Sequence, residues 1–160
     1  MIERIIRRIG TVLTVIVVFL IIYFSFSKPR EGLAMTWLPL GDKGGHFIAY
    51  AAYGISCFMA LFRMPKAETL TRQEGEMVRF STWSSPVIIR TITSGSVLGV
   101  VIELLQPFVG RQRDILDAGA NVMGLIVGVA IILLVIKTIG RMPWFWMNKE
   151  DEDNGLSKED

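Results

Sequence analysis

Four long apolar runs dominate this chain, at about residues 9–26, 46–62, 86–105 and 116–139. About 20 apolar residues are enough for an α-helix to cross the hydrocarbon core of a bilayer. The second run is short, but it reaches this length if residues 42–45 form its first turn. Hydrophobic residues make up 51% of the chain and are clustered in these runs. The pattern predicts an all-α integral membrane bundle of four transmembrane helices, formed by one domain of 160 residues.

The first run has two possible interpretations. It follows a short basic segment, residues 1–8, as the apolar region of a signal peptide does. It is longer than such a region usually is, and Lys28-Pro29-Arg30 follows it in place of a cleavage site with small residues. We therefore expect a retained first transmembrane helix, preceded by a basic N-terminus.

The segments between and after the runs are polar. Residues 63–85 carry seven charges without a periodic apolar face, so we expect a surface loop. Pro86 is expected in the first turn of the third helix, and Pro107 is expected to end that helix. Residues 141–160 combine a Pro-Trp-Phe-Trp segment, typical of an interfacial anchor, with an acidic tail that is expected to be disordered.

Two pairs of glycines recur with a spacing of four residues inside the third and fourth runs. The pairs are Gly95 with Gly99 and Gly124 with Gly128. Small residues at this spacing are typical of surfaces where transmembrane helices pack closely, and we expect that role for both pairs.

The distribution of Lys and Arg predicts the orientation. Four crossings place both termini on one side of the membrane. Eleven of these residues lie in the N-terminal segment, the 63–85 loop and the C-terminal part of the chain from Lys137 onwards, against five in the other two loops. Because cytoplasmic segments are enriched in Lys and Arg, we expect both termini to be cytoplasmic, in a multi-pass protein of the bacterial inner membrane.

Polar residues gather at the run ends that this orientation places on the extracytoplasmic side. The second helix starts there, the third ends there and the fourth starts there, so the order of the helices alone brings the residues together. Spacings of three or four residues also put the members on each helix on one face. The set consists of Asp42, Lys43, His46, Glu103, Gln106, Arg113, Asp117 and Asn121.

Ionisable residues in membrane segments indicate a functional site. Carboxylates and imidazole in such a site can act as acids or bases near neutral pH. The candidate catalytic residues are therefore Asp42, His46, Glu103 and Asp117. The candidate substrate-binding residues are Lys43, Gln106, Arg113 and Asn121, with Arg113 able to hold a phosphate or carboxylate through two hydrogen bonds. The oxygen ligands of Asp42, Glu103, Asp117 and Asn121 could also hold a divalent cation, whose identity the pattern does not indicate.

The composition excludes several other sites. One His and one Cys exclude a His-rich zinc site, a multi-cysteine metal site and an internal disulfide. The chain has no nucleic-acid motif and no phosphate-binding loop, and a net charge of +2 implies no polyanionic partner.

The polar set also permits a structural interpretation. Glu103 could form a salt bridge with Arg113, and Asp117 and Asn121 could make hydrogen bonds between helices. Lys43 could be an interfacial charge. Tyr50 and Tyr53, which follow His46 along its helix, are expected to be packing or interface residues.

Three motifs resemble the VanZ-like membrane protein family. They are D-K-G-G-H-F-I-A-Y at 42–50, E-L-L-Q at 103–106 and R-D-I-L-D-A-G-A-N-V-M-G-L-I-V-G at 113–128, and the resemblance covers roughly residues 9–140. It implies a small polytopic membrane protein. The family's namesake is associated with low-level resistance to the glycopeptide teicoplanin, and the family has no established biochemical activity.

Three functional hypotheses follow. In the first, the polar set binds or modifies an anionic lipid or a lipid-linked cell-wall precursor at the outer leaflet. In the second, the set holds the helices together, and the protein is a non-enzymatic accessory subunit of an envelope complex. The third, transport of a small solute, requires a homo-oligomer, because polar residues at one end of four short spans offer no path across the membrane.

Overall fold

The computed structural model describes residues 2–27, 41–63, 76–110 and 114–140. These residues form four α-helices, α1 (Ile2–Phe26), α2 (Asp42–Leu61), α3 (Glu76–Leu105) and α4 (Ile115–Gly140). A short 3₁₀ turn, Gln106–Val109, follows α3. The described ranges contain no strand, so the predicted all-α four-helix fold is confirmed. The aromatic segment and acidic tail predicted for 141–160 lie outside the described residues.

All four helices are long and apolar enough to cross a membrane. The stretches that meet this description are Glu3–Phe26, Lys43–Leu61, Ser85–Val109 and Ile115–Thr138. Large apolar side chains such as Phe19 (68% exposed) and Ile89 (64% exposed) lie on the outer helix surfaces. Contiguous exposed apolar surface of this kind suits lipid and not water. The chain is a multi-pass membrane protein.

Two helices begin earlier than the apolar runs predict. α1 begins at Ile2, so the three arginines of residues 1–8 belong to its first turns and not to a separate segment. α3 begins at Glu76, so the predicted loop at 63–85 is wrong for residues 76–85, and Pro86 lies inside the helix. An apolar run marks where a helix enters lipid. A helix satisfies its backbone hydrogen bonds internally, so it can continue beyond that point.

The end of α3 agrees with the sequence prediction. The helix stops at Leu105, and Pro107 lies in the 3₁₀ turn that follows. Gly110 ends this turn with φ 78°, a left-handed conformation that glycine adopts without strain.

α1 and α2 are antiparallel neighbours. Near the start of α1, a Cβ on Gly10 would collide with the backbone of Met59 and Ala60 at the end of α2. Arg7 Nε also donates to the carbonyl of Ala60 at 3.4 Å. Glycine therefore allows the two backbones to approach closely at this point.

α2 and α4 run parallel and pack through glycines. A Cβ on Gly124 would collide with the carbonyl of Phe47, and a Cβ on Gly128 would collide with that of Ala51. α3 packs against both helices in a similar way: a Cβ on Gly95 would lie 2.8 Å from the Leu125 side chain. The predicted role of these glycines in helix packing is confirmed.

The internal contacts divide the chain into two units, Met1–Val129 and Ala130–Asp160. The first unit contains α1, α2, α3, the 3₁₀ turn and α4 up to Val129, and it has a buried core formed by Ile21, Tyr50, Tyr53, Cys57, Ile102 and Leu125. The described part of the second unit is the rest of α4, where the hydroxyl of Thr138 donates to the carbonyl of Leu134 at 2.9 Å. All described candidate site residues belong to the first unit.

Candidate functional site

Polar side chains meet where α2 and α4 begin and α3 ends. α2 and α4 are parallel, so their first turns lie side by side, and Lys43 and His46 of α2 contact residues of α4 there. Two predicted residues cannot be placed: the side chain of Asp42 and the whole of Arg113 lie outside the described residues. The α2–α4 cluster, as we name it, consists of Lys43, His46, Asp114, Asp117 and Asn121.

Lys43 connects the two helices electrostatically. Its Nζ lies 2.6 Å from Asp114 Oδ2 and 3.5 Å from Asp117 Oδ1. The Lys43 and Asp114 side chains are 37% and 41% exposed, whereas that of Asp117 is 8% exposed. The ammonium therefore covers the buried carboxylate from the more exposed side of the cluster, and its single positive charge faces two carboxylates.

Asp114 is the N-cap of α4. Its Oδ1 accepts a hydrogen bond from the amide of Leu116 at 2.9 Å, and its carbonyl accepts one from the amide of Asp117 at 3.0 Å. The hydrogen bond from Lys43 and the one from Leu116 lower the pKa of this carboxyl group. Asp114 was not among the candidate site residues predicted from the sequence. Its position just before an apolar run is an N-cap signal that could have identified it.

His46 is buried between two residues of α4. Its Nδ1 lies 3.1 Å from Asn121 Oδ1, and its Nε2 lies 3.9 Å from Asp117 Oδ2. Because an amide oxygen only accepts hydrogen bonds, Nδ1 carries the proton and donates it to Asn121. In the neutral imidazole, the lone pair is then on Nε2, beside the Asp117 carboxylate.

This arrangement suits proton exchange with a third group. The 3.9 Å between Nε2 and Asp117 Oδ2 exceeds a hydrogen-bond length, yet one hydroxyl or water oxygen can lie within reach of both atoms. Such an oxygen could give its proton to Nε2 while Asp117 stabilises the imidazolium. Asn121 holds the ring orientation, as the third member of a nucleophile–base–orienter set does.

The described residues do not form the predicted cation site. Within the described ranges, no group of three His, Cys, Asp or Glu side chains is placed to hold a metal ion. Asp117 and Asn121 lie together, but the carboxylate of Asp42 belongs to the side chains that are not described. The binding of a divalent cation stays a prediction, and the proposed function does not depend on it.

The other two residues of the predicted set lie at the end of α3 and at the start of the 3₁₀ turn that follows it. Glu103 is half-buried on α3, four residues after Gly99 and on the same helix face. Gln106 is 1% exposed, and neither atom of its side-chain amide has a hydrogen-bond partner among the described residues. Because a buried amide without a partner is costly, Gln106 is a candidate for ligand contact.

Tyr50, like Asp114, is a site residue that was not predicted from the sequence. It was expected to pack, and its ring is indeed in the core, at 1% exposure. Its hydroxyl, however, faces the backbone of Gly99 beside the Asn121 amide: a Cβ on Gly99 would lie 3.3 Å from Tyr50 Oη and 3.5 Å from Asn121 Nδ2. The position of Tyr50 four residues after His46, on the same helix face, is the signal that could have identified it.

Tyr53 has the packing role that was expected for both tyrosines. Its hydroxyl donates to Ser94 Oγ of α3 at 3.0 Å, one turn deeper than Tyr50. The Ser94 hydroxyl in turn donates to the carbonyl of Thr91. Tyr53 is therefore satisfied within the protein and does not face the α2–α4 cluster.

Comparisons of the chain with protein-family models, with curated proteins and with solved structures found no match in any of the three.

Proposed function

We propose that this chain is a VanZ-like integral membrane protein of the bacterial cell envelope, located in the inner membrane with both termini in the cytoplasm. In this proposal the α2–α4 cluster lies at the extracytoplasmic face. It binds or modifies the polar head of an anionic lipid or of a lipid-linked cell-wall precursor. A role in glycopeptide susceptibility, as associated with the family's namesake, belongs to the same proposal.

The buried His46–Asp117 pair is the observation that carries the proposal. Both side chains are 8% exposed, in helices whose other surfaces are apolar. Titratable groups in such a setting are costly and are usually functional. A ligand of this site would bring a polar group to the start of two membrane helices, and the rest of the molecule would stay in the apolar layer. Such a molecule is an amphiphile. Lipids and lipid-linked precursors have this form.

The ability of the site to bind an anionic head group depends on Arg113. Lys43 is the cation of the α2–α4 cluster, and the two carboxylates that it faces outweigh its single charge. An anionic head would therefore need a further cation, and Arg113 is adjacent in sequence to Asp114. In the proposal Arg113 binds the phosphate, while His46 and Asp117 exchange a proton with a neighbouring hydroxyl group or water.

The test is a comparison of envelope lipids and lipid-linked precursors by mass spectrometry. Four strains would be compared: a deletion, and the deletion complemented with wild type, Asp117→Asn or Glu3→Gln at matched membrane levels. Glu3 is a carboxylate at the opposite end of the first unit, paired with Arg7, so it controls for the loss of a charge. We expect a lipid species that changes on deletion and returns with wild type and Glu3→Gln, but not with Asp117→Asn.

The alternative is a non-enzymatic accessory subunit of an envelope complex. The contacts of Lys43 and His46 with α4 favour it, because they tie α2 to α4 as interhelical hydrogen bonds do. This function predicts that Asp117→Asn lowers the amount of folded protein and leaves every lipid species unchanged at matched levels. The same result would rule out the lipid-active site.

A further inference from the structure

We infer that Tyr50 and Asn121 form a second subsite, in which two neutral hydrogen-bond donors take one oxygen acceptor of the ligand's head group. This inference rests on the proposed function and adds to it a recognition element and a chemical class. The acceptor is a phosphoryl or carbonyl oxygen, next to the group that exchanges its proton with His46.

The Asn121 amide has an orientation that His46 fixes. Its oxygen accepts from His46 Nδ1, so its nitrogen points the other way, towards Gly99. Asn121 is 4% exposed, and Nδ2 has no hydrogen-bond partner among the described residues. His46 thus fixes Asn121 as a donor on the side of α3.

The Tyr50 hydroxyl is the second donor of the subsite. It is buried, it faces the same glycine, and it also has no hydrogen-bond partner within the described ranges. Leaving a buried hydroxyl unpaired is costly for the folded protein. Phenylalanine would fill the same core position without that cost.

Gly99 is the residue that both donors face. A Cβ on this residue would lie 3.3 Å from Tyr50 Oη and 3.5 Å from Asn121 Nδ2, so a side chain there would crowd the hydroxyl and take the space in front of the amide. Glycine leaves the donors facing bare backbone. Two fixed donors directed at one place are the arrangement that binds a carbonyl or phosphoryl oxygen.

Glu103 places a limit on the ligand. Glu103 is half-buried and lies four residues after Gly99 on the same face of α3, so the subsite has an acidic neighbour on the α3 side. A free dianionic phosphate would be repelled there. A diester phosphate, or the carbonyl of an acyl ester, presents an acceptor oxygen with less charge. The ligand class is therefore a lipid with a diester phosphate, bound through one such oxygen.

The experiment measures lipid retention by the purified full chain with native mass spectrometry. The probe is an equimolar mixture of phosphatidylglycerol, phosphatidylethanolamine and cardiolipin in detergent. Tyr50→Phe removes only the hydroxyl, Gly99→Ala adds the Cβ, and Tyr53→Phe is the matched control because its hydroxyl is already bound to Ser94. Asp117→Asn reports on the proposed function separately.

We expect wild type to retain at least one lipid species. Tyr50→Phe and Gly99→Ala should each weaken that retention roughly tenfold, the effect of losing one hydrogen bond to a polar acceptor. Tyr53→Phe should retain lipid within about twofold of wild type on the same reasoning. Without lipid, Tyr50→Phe should melt no lower than wild type, because it removes an unpaired hydroxyl, whereas Tyr53→Phe should melt lower.

Two results would overturn the inference. The first leaves the proposed function standing, and the second removes it as well. Retention that needs Asp117 but does not respond to Tyr50→Phe or Gly99→Ala would remove the subsite and leave the proposed function standing. Retention that is absent in wild type, or equal in wild type and Asp117→Asn, would remove both.

Discussion

Burial separates the polar residues of the α2–α4 cluster into two groups with different roles. Lys43 and Asp114 are more than a third exposed, so solvent and salt screen their ion pair and its contribution to stability is small. His46 and Asp117 are buried, and their interaction is screened much less. The exposed pair therefore acts as an electrostatic cover, and the buried pair is the part that can exchange a proton.

The Asp114 carboxyl predicts an effect of pH on stability. Lys43 and the Leu116 amide hold its pKa below the ordinary value of 3.8, so the charged form is favoured in the folded protein. The stabilisation is complete above that ordinary value and is lost as the pH falls through the lower pKa of the folded state. The melting temperature of wild type in detergent should therefore fall as the pH is lowered below about 4.

Asp114→Asn provides the comparison. Asparagine keeps the N-cap of α4 but cannot be charged, so this variant should melt lower than wild type at pH 6, and the difference should shrink as the pH is lowered. If the difference in melting temperature between the two proteins did not change with pH, the Lys43–Asp114 pair would contribute nothing to stability.

At the scale of secondary-structure elements, glycines set the distance between α2 and α4. The parallel packing depends on contact between Gly124 and the Phe47 carbonyl and between Gly128 and the Ala51 carbonyl. This close approach lets the short side chains of Asp117 and Asn121 reach His46. The glycine surface below the cluster therefore determines the geometry of the site above it.

Gly124→Ala should destabilise the protein, because its Cβ would collide with the backbone of α2. Overpacking of this kind costs about 1–3 kcal/mol, and the loss should appear as a lower melting temperature in detergent. The control is Gly119→Ala on the same helix, where a Cβ would meet nothing within 4 Å. It should be neutral or stabilising by up to about 1 kcal/mol, since alanine favours the helix. Equal melting temperatures for the two variants would contradict the observed packing.

On the scale of the whole molecule, the order of the helices determines which ends meet. α2 and α4 start at one face, and α3 runs antiparallel to them and ends there. Which side of the membrane this face occupies depends on the distribution of Lys and Arg, eleven against five.

Reporter fusions test the orientation. Alkaline phosphatase, which is active only outside the cytoplasm, should be active when fused after Gly110 and inactive when fused after Arg63. We expect this pattern of activities because the 63–85 segment is richer in Lys and Arg than the turn after α3. The reverse pattern of activities would place the α2–α4 cluster at the cytoplasmic face and would remove extracytoplasmic lipids from the proposal.

The sequence alone determined the fold class and the convergence of the polar ends. Apolar runs long enough to cross a bilayer can form helices there regardless of their neighbours, because a helix satisfies its own backbone. Alternate run ends must then lie on the same side. This reasoning predicted that His46, Asp117 and Asn121 would lie at one end of the helices, and the structure places them in contact.

Only the tertiary structure decided which atoms pair. It assigned Lys43 to two carboxylates, oriented the Asn121 amide and turned the Tyr50 hydroxyl towards Gly99. These outcomes depend on the rotation of each helix about its axis and on an interhelical distance set by glycines. A rotation of one residue position, about 100°, would direct each side chain elsewhere. Hydrophobicity is nearly uniform around α3 and α4, so it places them in the membrane without specifying that rotation, and side-chain packing specifies it.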